Sequence, residues 1–416
     1  MTKAALYRFI WRLHMWAGLY VIPFILILSI TGSIFLFKPQ LDRWQESDWR
    51  GLSVTKTVSP DAQLATAMAA VPGAAFHSYR LPQAKDDAAV IHVGLAGGRE
   101  MRDIYVAPSG QLLAIVDPES MISATVRRFH GTLLMGKFGS TLVEIAATLA
   151  IMMIFSGLFL WWPRSNRLGR PSAGRIWPRL KGGARQFWRD LHAVTGFWVA
   201  GLALVLLFSG LPWTDNWGAV IKSVRSEMGW IDNKPQDWQG GGDAPDGLHQ
   251  GHDHFAMLNA QKERRPVTPP PNGLTLSDIV RLAHKENMAF PALVQPPGAP
   301  SRFGPPNGNV WKLTSEAQNR PLIRNILYDP QSGEVISRTG FSDKHIADRI
   351  IGYGIAWHEG QLFGWINQLI GLLTAIALIT IAVSGTRMWW KKRPSQAMRK
   401  GVQSEQIIDR QSTIIS

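Results

Sequence analysis

Four histidines recur in this chain at intervals that repeat to the residue. His14 is followed by Gly18 and Gly32, and His192 is followed at the same distances by Gly196 and Gly210. His130 precedes Gly136 and Ser156 by the same intervals that separate His358 from Gly364 and Ser384. Paired imidazoles at fixed, repeated positions suit the two axial sites of a haem iron, one macrocycle per pair. The chain has no Cys, which excludes disulfides, thiolate metal sites and covalent c-type attachment. The expectation is two non-covalent, bis-His haem b groups, with His14 and His192 on one iron and His130 and His358 on the other. The competing reading is interfacial hydrogen-bonding or packing histidines preserved by a duplication.

The residues around these positions extend the expectation. Gly18 and Gly196 lie one turn after a histidine and remove a side chain on the ligand's own face, making room for a flat ring or a close helix. Methionine ligation is disfavoured, since Met15 aligns with Ala193 and Met135 with Phe363. Arg127 and Arg128 beside His130, and Arg12 and Arg189 near the other two, are candidates to hold haem propionates. Plain positive flanking of apolar helices accounts for them equally well. Glu144 is the one acid expected inside a span, as a proton or propionate partner or as a half-buried packing residue.

Other motifs carry less chemistry. His249, His252 and His254 make a short His-rich run that binds metal transiently or is a solvated polar loop, the latter preferred. His77, His92, His284 and His345 share no pattern and read as surface or domain-core residues. The Gly run 240–242 follows no strand of a βαβ unit, and no H-E-x-x-H, G-x-S-x-G or Walker sequence occurs.

The elements that position the histidines are membrane helices. Four segments lack Asp, Glu, Lys and Arg over roughly 20 residues: Leu13–Phe37, Ile145–Pro163, Leu191–Thr214 and Gly360–Thr386. The second span is expected to begin upstream of its charge-free run, near Gly136, and so takes in Glu144. Trp11, Trp16, Trp161, Trp162, Trp188, Trp389 and Trp390 crowd their ends, as an interfacial belt does. The net charge of +14 concentrates beside these helices rather than in a nucleic-acid-binding patch. The 163–190 connector carries eight basic residues against Asp190 alone, and both termini are basic as well. The positive-inside rule puts all three in the cytoplasm and the long segments outside. Residues 1–35 read as an uncleaved first span, because the apolar run is too long for a signal peptide.

The expected organisation is therefore a first transmembrane helix at 1–37, a periplasmic domain at 38–130, a second helix at 131–163 and a basic cytoplasmic loop at 164–190. A third helix follows at 191–214. Next come a second periplasmic domain at 215–355 with an inserted loop at 232–273, a fourth helix at 356–390 and a cytoplasmic tail at 391–416. Two spans per half keep both halves in one orientation, which predicts pseudo-twofold-related pairs about the membrane normal. Each outer segment reads as a small α+β domain. Helical 61–70 precedes strands at 75–81, 88–95 and 102–106; helical 275–286 precedes strands at 290–295, 310–315 and 322–328.

The Leu-His-x3-Gly openings, their Thr-Gly or Ser-Gly endings and the His358-Glu-Gly-Gln-Leu-Phe-Gly364 stretch resemble the PepSY-associated transmembrane family. Its members are also known as iron-regulated membrane proteins and include bacterial ferric-siderophore reductases. The resemblance implies a membrane α-helical fold with four transmembrane helices, two periplasmic α+β PepSY-like domains and, in the reductase members, two b haems. It carries ligation to His14, His192, His130 and His358 only. His130 is followed directly by Gly131 where the second copy has Glu359-Gly360, a departure beside the outer pair.

The expected function is that of a di-haem b protein of the bacterial inner membrane, both termini cytoplasmic, reducing a periplasmic ferric siderophore or other ferric chelate. Oxygen-donor chelators hold hard Fe(III) far better than Fe(II), so one electron loosens the metal. The donor, quinol or a cytoplasmic reductant, is not encoded. The expected partners are membrane lipid and the chelate, with no nucleic acid. Two other readings stand: a non-enzymatic PepSY-domain transporter subunit or sensor, and a haem carrier to a quinone, a copper centre or a periplasmic redox protein.

Overall fold

The computed structural model describes residues 2–95, 100–162, 176–179, 183–230, 273–299 and 307–391. The insertion at 232–272 with His249, His252 and His254, most of the basic connector and the tail from 392 lie outside the described residues.

Among the described residues four helices are long and apolar enough to cross a membrane. They are α1 (Lys3–Leu36), α5 (Gly136–Trp161), α6 (Ala184–Gly210) and α10 (Trp365–Trp390). Their mean hydropathy over the best window is 2.1 to 2.3. At 1.5 Å per residue the 26-residue helices reach about 39 Å, beyond the roughly 30 Å of hydrocarbon. Pro23 sits inside α1, where neighbouring groups in a bundle can satisfy the carbonyl it frees.

The second span begins at Gly136, where the sequence reading puts it, and the fourth at Trp365. The bounds 131–163 and 356–390 each take in a few residues that lie before a break in the helix. Helix α4 (Ile122–Thr132) ends before Leu133, Leu134 and Gly136, all with positive φ, and α5 begins there. Helix α9 (Ile346–His358) ends before Gly360 and Gly364, also at positive φ, and α10 starts at Trp365. Left-handed residues turn the chain out of its helical path. His130 and His358 therefore sit on the short helices that precede the spans.

The remaining elements are α2 (Lys38–Gln45), α3 (Pro60–Ala70), β1 (Ala75–Arg80), β2 (Ala89–Gly94), β3 (Met101–Val106) and β4 (Leu112–Val116) in the first half. The second half contributes α7 (Asp215–Glu227), α8 (Leu276–Lys285), β5 (Ala292–Gln295), β6 (Trp311–Ser315), β7 (Arg324–Tyr328) and β8 (Val335–Gly340). The strands and the helices α3 and α8 fall within a few residues of where the sequence pattern puts them, whereas α2 and α7 were not expected. Ser59 accepts from Ala62 N ahead of Pro60, and Thr275 makes a capping box with Asp278.

The two extramembrane segments do not build separate sheets. All eight strands join in the order β4-β3-β2-β1-β5-β6-β7-β8, antiparallel throughout. The seam is short, pairing Tyr79 with Val294 and Arg80 with Leu293. One core underlies both halves. Tyr79, Ile91, Val93, Ile104, Val294, Trp311, Leu313 and Ile326 pack with Leu276 and Ile279 of α8 and Ala67 of α3. Asp61 of α3 also accepts from the amides of Leu276 at 3.1 Å and Ser277 at 3.0 Å, so one half caps a helix of the other.

The chain divides into two compact units, 1–29 with 146–203 and 374–416, and 30–145 with 204–373. Every spanning helix contributes to both.

Candidate functional site

The structure brings the four repeated histidines together as two pairs, one in each unit. His14 of α1 faces His192 of α6 with ring centroids 6.5 Å apart and planes at 88°. His130 near the end of α4 faces His358, the last residue of α9, at 6.3 Å and 79°.

Each ring is oriented through Nδ1. His14 Nδ1 is 2.9 Å from Ser156 Oγ of α5. His192 Nδ1 is 3.0 Å from the Ile381 carbonyl and 3.2 Å from Ser384 Oγ, both on α10. His130 Nδ1 lies 2.9 Å from Thr31 Oγ1 of α1. His358 Nδ1 lies 2.9 Å from the Leu206 carbonyl and 3.1 Å from Ser209 Oγ, both on α6.

Backbone partners fix the proton on two of the rings. The carbonyls of Ile381 and Leu206 can only accept, so His192 and His358 donate through Nδ1–H. Those two imidazoles are thus held as the Nδ1–H tautomer, with the Nε2 lone pair left for a metal. At His14 the Ser156 hydroxyl lies 2.9 Å from Nδ1 and 3.2 Å from the Met153 carbonyl, and a proton given to Met153 leaves its oxygen to accept from Nδ1–H in the same way.

The glycine after each hydroxyl residue explains the Thr-Gly and Ser-Gly endings. A Cβ on Gly32, Gly157, Gly210 or Gly385 would stand 3.1, 3.2, 3.3 or 3.4 Å from Cε1 of His130, His14, His358 or His192. The hydroxyl orients the ring and the glycine lets it lie against the helix. Sequence reasoning singled out these eight residues as repeated endings but missed their role against the rings. Their signal was present, a hydroxyl residue before a repeated glycine in all four spans, but its meaning depends on which helix faces which. Gly18 and Gly196, expected to make room, are different. A Cβ at Gly196 would meet nothing within 4 Å, whereas at Gly18 it would meet Met153 Cε at 3.2 Å.

The arrangement fits an axially ligated macrocycle. Two metal–imidazole bonds of about 2 Å and two half-rings of roughly 1 Å put centroids about 6 Å apart, close to both observed separations. Among the described residues no group of three or more His, Asp or Glu could hold a bare cation. A haem needs only two protein ligands, because its porphyrin supplies the other four.

The arginines take other partners. Arg127 and Arg128 lie 3.6 and 3.7 Å from the Glu119 carboxylate, and Arg128 also donates to the Glu119 carbonyl. Arg189 pairs with buried Asp190 at 2.9 Å, a carboxylate that Arg179 also grips from two sides. Arg12 is exposed. Glu144 is buried and caps α7: it accepts from Thr214 Oγ1, Asn216 Nδ2 and the amides of Asn216 and Trp217, at 2.6 to 3.3 Å. A carboxylate on the first two free amides of a helix is anchored by those bonds and by the helix dipole.

Two buried ion pairs had no sequence signal, since their members are far apart in the chain. Arg225 of α7 pairs with Asp348 of α9, and Arg320 lies 3.7 Å from Glu359, next to His358. Of the remaining histidines, His345 accepts from Ala347 N to cap α9. His92 Nδ1 sits 2.6 Å from Asp103, and burial, then the neighbouring His92, lowers the His77 pKa to about 4.

A family model described as PepSY-associated TM region matches residues 11–392. No curated protein matches the chain.

Proposed function

We propose that this chain, which belongs to the PepSY-associated TM region family, is a di-haem b electron-transfer protein of the bacterial inner membrane that reduces a ferric siderophore or similar chelate. One observation carries the reading: two imidazole pairs at 6.5 and 6.3 Å, held through Nδ1 by hydroxyls and carbonyls so that Nε2 is the ligating atom. A b haem bound between such rings supplies reversible one-electron transfer.

The protein's own contribution is positional. His14 and His192 hold the inner group, His130 and His358 the outer one, and Ser156, Ser384, Thr31 and Ser209 fix the rings. Nδ1–H donation raises the basicity of Nε2 and supports the ferric state. Both halves supply matching ligands, and the palindromic strand order of the sheet supports a pseudo-twofold relation between them. On this reading the sheet domain is periplasmic and presents the chelate, and both termini are cytoplasmic. A quinol or cytoplasmic reductant supplies the electron, and Fe(II) leaves because oxygen donors bind it weakly.

The test combines composition with turnover. The purified protein is expected to give a pyridine-haemochrome spectrum of b type at two haems per chain. Dithionite-reduced protein should then be reoxidised anaerobically by a ferric hydroxamate or catecholate. A colourless preparation rejects the haem reading, and reduced bands that persist with several chelates reject the reductase reading.

A further inference from the structure

Three short helices, α4, α7 and α9, stand next to spans in the chain, at the membrane end where α1 and α6 finish and α5 and α10 begin. Two of them leave apolar faces uncovered. On α9 the exposed residues are Ile346, Ile350 and Tyr353, at 57%, 65% and 41%, and no polar residue of that helix is exposed. Their spacing of four and three puts them on one line. On α7, Trp217, Val220 and Val224 are exposed at 40%, 51% and 47% with the same periodicity. The line continues to Met228, just past the helix, at 57%. Exposed Lys222 and Ser226 occupy the opposite, polar arc, with Ser223 beside the line and Glu227 exposed at its end, while Arg225 points inward and is buried.

These lines continue directly into the membrane-spanning helices. Only residues 211–214, with exposed Trp213, separate α6 from α7. Six residues separate α9 from α10, and Phe363 and Trp365 there are 61% and 71% exposed. The buried Arg225–Asp348 ion pair ties α7 to α9, so the two lines are held as one surface.

We propose that the uncovered apolar faces of α7 and α9 lie in the interfacial layer of the lipid bilayer, parallel to its plane. Helices with one apolar arc and aromatic residues settle about 5–10 Å into the headgroup–acyl boundary. The helix that ends in His358 is thereby held at interfacial depth by lipid on one side and by the sheet domain on the other. This inference stands on the spans and the exposed faces, and holds whether or not the histidines carry haem.

The chain has no native cysteine, so single-cysteine spin labelling of the full-length protein reads the surface directly. Val220→Cys and Ile350→Cys sample the two apolar lines, and Ser226→Cys the polar arc of α7. Val224→Cys and Ile346→Cys repeat the measurement should either first variant fold poorly. In phosphatidylcholine nanodiscs, oxygen collisions at the apolar positions should exceed those with an aqueous nickel chelate several-fold, with the order reversed at 226. Equal nickel access at all positions overturns the proposal. Spin–spin broadening at 220 and 350 that disappears on dilution with unlabelled protein also overturns it, because a second copy then covers the surface.

Discussion

On the proposed di-haem reading, deleting a single hydroxyl should move the potential of one haem and leave the other in place. Ser156 Oγ stands 2.9 Å from His14 Nδ1 and 3.2 Å from the Met153 carbonyl, so a hydroxyl proton given to Met153 leaves the oxygen as acceptor for Nδ1–H. That bond pushes electron density toward Nε2 and favours ferric iron. A neutral hydrogen bond contributes about 0.5–1.5 kcal/mol net. If the whole of that difference falls between the two oxidation states, one-electron conversion at 59 mV per factor of ten gives a rise of roughly 20–60 mV. Ser156→Ala should therefore raise one midpoint potential by that amount, and Ser156→Thr should restore it. Ser384→Ala should act on the same haem but less, because its bond to His192 is longer, 3.2 Å, and the Ile381 carbonyl at 3.0 Å still accepts. The assay is a spectroelectrochemical titration fitted to two components. A fall in potential, no resolvable shift, or equal movement of both components would refute the reasoning.

Further outcomes follow from the same contacts. His130→Ala and His358→Ala should each convert the same haem, with His14→Ala and His192→Ala converting the other; optical and EPR spectra of the four variants check this, and loss of different haems from His130→Ala and His358→Ala sinks the pairing. Glu144→Leu strips the acceptor from two α7 amides, for about 2–6 kcal/mol at 1–3 kcal/mol per stranded amide, while Glu144→Gln should cost less; thermal unfolding in detergent reads both. The pKa of His77 is lowered from its ordinary 6.5 to about 4, by burial first and His92 second. Unfolded chains therefore bind more protons than folded ones between those values, and stability is full above pH 6.5 and falls as pH drops toward 4. His77→Gln should flatten that window by up to about 3 kcal/mol, which acid titration of the unfolding midpoint measures.

The spans and the histidine pattern were legible because both rest on local rules. Twenty apolar residues must be helical in lipid, and a duplicated spacing marks equivalent positions without any knowledge of contacts. The start of the second span near Gly136 was legible too, but not how the chain turns there: Leu133 and Leu134 adopt positive φ, a conformation that leucine gives no reason to expect. Glu144 read equally as a proton or propionate partner and as a half-buried packing residue; the amides that satisfy it come from residues 216 and 217, some 70 positions away. The strands of each half were placed by alternation, but nothing in either half announces that β1 will pair with β5. Tyr79 and Arg80 read as ordinary strand residues until Val294 and Leu293 lie beside them.

That two-residue seam bears on whether either half is complete alone. A half standing alone, ending before the third span, would leave β1 paired with β2 on one side and bare on the other, a row of open N–H and C=O groups that invites another strand. The seam is antiparallel, the sense in which an edge meets a copy of itself across a twofold rotation. It would also leave one imidazole of each pair unmatched. A single-copy half would thus be complete only as a dimer, and joining two halves in one chain makes that encounter intramolecular, independent of protein concentration. The two halves are not identical beside their histidines, one carrying Glu359 and the other Gly131.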